Sequence, residues 1–184
     1  MQTDTAPFSS TGLLTAFRVL AGLPPLEMGT VALAEVPDGL RGVLGQDGGM
    51  TAALERFWGE PMGLAVRRTD LRDGRLRREV VLAGIRRGLP SEAGFIDIRL
   101  DALPPSVAEQ VIAGRQPFGA VLAAAGIRFR SRPFRFFQVA ADRDLAEALQ
   151  VPPGSILYGR ETRLTDSGGR VLAEAVEILS GPAI

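Results

Sequence analysis

Two tight turns constrain this chain more than any other feature. "LRDGRLRREVVLAG" sets Asp73-Gly74 between runs that alternate apolar and polar residues, and "SILYGRETRLTDSGGRVLAEAVEIL" does the same around residues 166–169. Asp-Gly between alternating runs is a strong β-hairpin signal, because the tight turn needs positive φ at its central positions. Hairpins pair their strands antiparallel. Strands and helices here do not alternate strictly, so the expected class is α+β with an antiparallel sheet. The last run is ambiguous, since Leu172, Ala175, Val176 and Leu179 are also spaced for a helix face. A strand is expected there, because a hairpin is the short way back from a Gly-Gly turn.

The remaining segments fill in around these hairpins. "STGLLTAFRVLAG" reads as a first helix, with Ser10 or Thr11 near the cap and Gly22 as the stop. "TVALAEVPDGL" is a weak strand candidate. "QDGGMTAALERFWGE" reads as a loop and then a helix from near Thr51 to Gly59. "FIDIRLDAL" alternates, with Ile96, Ile98 and Leu100 inward and Asp97, Arg99 and Asp101 outward. "LPPSVAEQVIAG" and "QPFGAVLAAAG" are short helices with prolines near their starts and Gly114 and Gly126 near their ends. "IRFRSRPFRFFQVA" is an extended run kinked near Pro133, and "DRDLAEALQVPPG" a capped helix. No repeat or linker interrupts the 184 residues, so one domain over 1–184 is expected.

Composition excludes several chemistries. There is no cysteine and no histidine, which removes disulfides, thiolate or histidine catalysis and thiolate- or His-ligated metals. No clustered Asp/Glu loop suggests an all-carboxylate metal site, so neither metal nor cofactor is expected. Lys+Arg and Asp+Glu both number 21, giving zero net charge and no global field for nucleic acid or a membrane. The basic-aromatic run Arg128 to Phe137 is therefore read as a strand rather than a single-strand nucleic-acid surface. "MQTDTAPFSSTG" has no basic n-region and no run is long enough to span a bilayer, so a cytoplasmic location is expected.

Within the hairpins some charges sit among apolar residues. Arg78 shares a strand face with Leu76, Val80 and Leu82, while Arg75, Arg77 and Glu79 take the other. In the last strand Glu177 shares a face with Val171, Ala173, Ala175 and Leu179, and Glu174 shares the opposite face with Leu172, Val176 and Ile178. An uncompensated charge inside a sheet is costly, so each needs a partner or a ligand. One reading is an internal Arg-Glu pair that fixes strand register. The other is a pocket in which a guanidinium takes a carboxylate in a bidentate fork. Arg160 and Arg163, on opposite faces of the adjoining strand, are candidates for a second cation, with Arg160 taken as the ligand-binding one.

Four stretches follow in order: "MTAALERFWGEPMGLAVRR", "LRREVVL", "GRQPFGAVL" and "LYGRETRLTDSGGRVLAEAVEIL". They resemble the Met-Thr helix and following strand, the Leu-Arg-Glu strand, the Pro-Leu-Gly turn and the terminal Trp-Gly-Arg hairpin of the bacterial chorismate pyruvate-lyases (4-hydroxybenzoate synthases). The resemblance covers roughly residues 50 to 179, and the first 45 or so have no match. It implies a six-stranded antiparallel sheet flanked by short helices, chorismate lyase-like, with the ligand enclosed under helical flaps. It implies elimination of pyruvate from chorismate to give 4-hydroxybenzoate, in ubiquinone or aromatic acid biosynthesis. Arg78 would bind the ring carboxylate and Glu177 would contact the para oxygen. Met50 would line the site, and Phe118 and Gly119 would supply the turn near the carboxylate. A glutamate in an apolar pocket has a raised pKa and could hand a proton to the ether oxygen.

The pattern departs from that family in three places. Ser180-Gly181 stands where the family has a proline, Phe118 replaces a leucine, and the last hairpin is a residue out of step, which makes Glu174 a rival for Glu177. Two other functions stay open. One is a non-catalytic binding protein for a small aromatic acid, since the same fold serves as the effector domain of some transcription regulators, although no helix-turn-helix pattern is visible. The other is a lyase for a different enolpyruvyl ether.

Overall fold

A computed structural model describes residues 11–181. Strands β1 (Met28–Val31), β2 (Met62–Arg72), β3 (Arg75–Gly84), β4 (Pro90–Arg99), β5 (Phe129–Ala140), β6 (Ile156–Asp166) and β7 (Val171–Leu179) form one sheet in the order β1-β5-β6-β7-β4-β3-β2. Every neighbouring pair is antiparallel. The helices are α1 (Thr11–Leu20), α2 (Asp38–Leu44), α3 (Met50–Trp58), α4 (Pro105–Ala113), α5 (Phe118–Ala124) and α6 (Arg143–Leu149). No helix among the described residues is long and apolar enough to cross a membrane.

Both hairpins form. Arg72 faces Arg75 across a two-residue loop in which Asp73 and Gly74 have φ of 52° and 71°, the doubly positive turn that suits strand twist. β6 and β7 pair from Tyr158↔Leu179 to Thr165↔Val171, so the ambiguous last run is a strand. Its helical spacing loses to β6 and β4, which pair with it on both sides.

The sheet has seven strands where six are expected. The additional one is β1, four residues on the edge of β5, too short to carry an alternation signal. "TVALAEVPDGL" is mostly not a strand. Only its first residues pair; Leu33–Glu35 form a 3-10 turn and Pro37 precedes α2. α2 contains Gly39 and Gly42, which weaken its helical signal, yet Leu40, Val43 and Leu44 bury at helical spacing.

Both faces of the sheet are covered. On one, α1 and α6 pack Leu14, Phe17, Leu145 and Leu149 against Phe95, Phe137 and Val176. The Phe17 and Phe95 rings meet edge-on at 5.6 Å, and full burial of such a side chain stabilises by roughly 1.5–3 kcal/mol. On the other face there are two clusters. α4 and α5 cover Leu76, Ile98, Leu164 and Ala173, while α2 and α3 cover Leu82 and Leu179. Because helices also cover the α1 face, Asp97 is not solvated as its alternation suggests. It is 4% exposed and held by Arg75 at 2.9 Å and Arg77 at 3.2 Å.

Candidate functional site

A cavity of about 420 Å³ opens where the two apolar clusters part. Its floor is β3, β4 and β7, its side wall includes Phe129 and Ser131 of β5, and its roof is the start of α3 and the turn into α5. Most of the wall is apolar, with a few polar groups converging on it, as in small-molecule sites. Arg78, Glu177, Met50, Phe118 and Gly119, the residues singled out from the sequence, all line it. Met50 is the first residue of α3 and is buried, and Phe118 opens α5 behind Pro117. A Cβ on Gly119 would lie 3.2 Å from the Phe129 ring, so a side chain there would crowd the cavity wall.

Arg78 is 4% exposed. Its Nη2 donates to the carbonyls of Val111 at 2.6 Å and Ile112 at 3.2 Å, at the C-terminal end of α4, where the helix dipole favours a cation. Gly114, at φ +66°, ends that helix, and a Cβ there would come within 3.3 Å of the guanidinium. Nε has no partner. No carboxylate acts on Arg78 among the described residues, and burial alone pulls its pKa below the ordinary arginine value. A guanidinium does not deprotonate in a protein, so the site keeps a buried positive charge that carbonyls solvate only in part.

Arg160 shows the opposite arrangement. It is fully buried, and its Nε donates to Glu177 Oε2 at 2.6 Å. Its Nη1 donates to the carbonyls of Leu44 and Gln46 at 3.1 and 2.7 Å, and Nη2 to that of Gly48 at 3.0 Å. It does not line the cavity and is committed to binding the α2–α3 loop and orienting Glu177. The expectation of Arg160 as a second ligand-binding cation does not match this placement, because its donors are already engaged. The internal Arg-Glu pair therefore exists, but it joins Arg160 to Glu177 and leaves Arg78 out. Glu174 lies on the α1 side with Arg163 at 2.9 Å, away from the cavity.

Sequence reasoning missed two buried polar residues of the cavity, Glu92 and Ser131. Glu92 is 3% exposed and its Oε2 has no hydrogen-bond partner. Burial, then the negative charge of Glu177, push its pKa well above the ordinary carboxylate value, against a smaller opposing pull from Arg160. Glu92 is thus a cavity carboxyl with a tendency to keep its proton. Ser131 is 1% exposed and its Oγ also lacks a partner. Both were legible. Extending the β4 alternation back from Ile98 and Ile96 reaches Gly94 and Glu92, and Ser131 follows Phe129 by two. Buried polar atoms usually find partners, so three unpartnered ones (on Arg78, Glu92 and Ser131) around one cavity mark a place where a ligand would supply them. Among the described residues no group of three or more acidic, His or Cys side chains could hold a metal.

No family model and no curated protein matches this sequence. Solved structures do share its architecture. PhnF from Mycobacterium smegmatis superposes with a TM-score of 0.58 at 15% identity, over 73% of this chain and 64% of that one. The isolated effector domain of PhnF gives 0.57 at 14% identity, over 73% of this chain and 89% of that domain. The possible transcriptional regulator YydK from Bacillus subtilis subsp. subtilis gives 0.50 at 12% identity, over 64% of this chain and 57% of that one. The chain thus spans less than two thirds of the length of PhnF but most of its effector domain. The class so defined is one of fold, an α+β domain with an antiparallel sheet, chorismate lyase-like.

Proposed function

We propose that this domain binds a small organic carboxylate in the cavity beneath α3 and α5, without transforming it. The observation that carries the reading is Arg78, a buried guanidinium that lines the cavity, lacks a carboxylate partner and keeps an unpartnered Nε. A carboxylate would supply both the missing charge and the missing acceptor, and a charge-assisted contact in a dry site is strong. The apolar floor of Val80, Ile96 and Ala175 suits the apolar ring of an aromatic acid. The likeness to the PhnF effector domain supports a binding role.

The second reading is the chorismate lyase that the sequence resembles. It is favoured by Glu92, a buried carboxyl pushed toward its protonated form inside the same cavity. Elimination of pyruvate breaks the bond between the ring carbon and the ether oxygen; Glu92 would give its proton to the departing oxygen and be reprotonated by the proton that leaves the adjacent ring carbon as the ring aromatises. One experiment separates the two. The protein is titrated calorimetrically with benzoate, 4-hydroxybenzoate and chorismate, and the chorismate sample is assayed for pyruvate. Saturable binding without pyruvate is the expected result. Catalytic release of pyruvate selects the lyase, and no binding of any of the three removes the aromatic-acid reading.

A further inference from the structure

We propose that Glu92 touches the part of the bound ligand remote from its Arg78-anchored carboxylate, and that it selects carboxylates bearing a hydrogen-bond acceptor there. This rests on the carboxylate-binding reading and adds a specificity residue to it.

The geometry comes from the sheet register. Arg78 faces Ile96 across β3 and β4, and Glu92 lies four residues further along β4 on the same face. At the rise of a strand that is roughly 13 Å between backbone positions. Between them Gly94 faces Val80 on one side and Glu177 on the other. A Cβ at Gly94 would stand 2.8 Å from Glu92 Oε1 and 3.1 Å from Val80 Cγ2. The missing side chain is therefore what lets the Glu92 carboxyl fold back over β4 toward the middle of the cavity. Glu177, its neighbour, is fixed by Arg160, while Glu92 Oε2 is left without a partner. A ligand anchored at Arg78 and reaching along β4 meets Glu92 as a free group.

The protonation state sets which ligand group fits. A neutral carboxylic acid donates one hydrogen bond, so it matches a carbonyl, ether or hydroxyl oxygen. The charged groups around it are Glu177 on β7 and Arg160 on β6, which act on it directly, with Glu55 on α3 and Arg78 on β3 elsewhere on the wall or floor. Raising pH through the elevated pKa of Glu92 removes the donor and places two carboxylates side by side, so the preference for an acceptor should fade.

The test compares 4-acetylbenzoate with 4-isopropylbenzoate, near-isosteric acids that differ by one acceptor oxygen. Wild-type protein should bind the acetyl acid roughly five- to tenfold more tightly, the effect of one buried hydrogen bond. Glu92→Gln keeps a neutral donor and should retain the preference at every pH, whereas the wild-type preference should decline as pH rises. Glu92→Leu should abolish it while still binding both acids. Equal wild-type affinity for the two acids, or a preference that survives Glu92→Leu, overturns the role of Glu92 and leaves carboxylate binding standing. Failure of wild type to bind either acid overturns both.

Discussion

Arg78 and Arg160 are both buried arginines aimed into the same side of the sheet, yet their surroundings differ. Arg160 has a carboxylate and three backbone carbonyls. Arg78 has two carbonyls and no carboxylate. The α1 face resembles Arg160 in this respect. There Glu79 and Asp144 are shared by Arg67 and Arg68, which the bulge after Val66 brings together, and Arg18 reaches Asp142 and Asp144. A buried charge that holds a fold together is fully paired, because a missing partner would destabilise it. A buried charge left partly unpaired costs stability, and it persists where a ligand completes it. That contrast is what supports the proposed binding site at Arg78.

The largest effect should come from breaking the paired member. Arg160→Met leaves Glu177 buried without its partner and strips three carbonyls of their donor, so it should destabilise the domain by about 3–5 kcal/mol in chemical denaturation. Arg78→Met should cost less than half of that, since it removes a poorly compensated charge along with two hydrogen bonds. The same variant should weaken carboxylate binding by roughly a hundredfold, in line with charged hydrogen bonds of about 1.5–3 kcal/mol each. If the two variants destabilise equally, the division into a structural and a ligand-binding arginine fails.

Glu92 sharpens the comparison through pH. Its pKa is raised in the folded state, so the folded state binds more protons than the unfolded one between the two values. The stabilisation linked to that proton is complete below the unfolded value, near 4.5, and is lost as pH rises through the folded pKa. Wild-type stability should therefore fall relative to Glu92→Gln as pH increases above about 4.5. Parallel pH curves for the two proteins would mean that Glu92 ionises normally in the fold.

Smaller effects are expected at the edges of the site. Phe118 is half-buried at the turn into α5, so Phe118→Leu should change the ranking of aromatic acids while shifting stability by less than about 1.5 kcal/mol. A melting-temperature loss with unchanged ligand ranking would make Phe118 ordinary core. Smallest of all, Arg77→Lys should leave binding unchanged. Arg77 sits one residue from Arg78 but on the α1 face, where it shares Asp97 with Arg75.

How far the sequence carried the reading depends on range. Local signals were sufficient for both hairpins, since Asp73-Gly74 and the residues before Val171 specify their turns chemically. The parity of Arg78 and Glu177 followed from the hairpins, and so did their shared face. Partner choice was not legible, because it depends on which loop packs where. Nothing in the sequence near Arg160 shows that the carbonyls of residues 44 to 48 close over it. Nor does the pattern around Asp97 show that both sheet faces are covered. β1 is caught only in Thr30 and Val31 and α2 not at all, because a four-residue strand and a glycine-bearing helix carry little periodic signal.

The central claim is that Arg78 exists to receive a carboxylate, and charge is the variable that tests it. Wild-type protein and Arg78→Met are titrated calorimetrically with 4-hydroxybenzoate and with 4-hydroxybenzamide, its neutral near-isostere. The acid should bind wild type roughly a hundredfold more tightly than the amide, and that difference should collapse in Arg78→Met. Equal affinity of wild type for acid and amide, or discrimination that survives the loss of Arg78, would contradict the account.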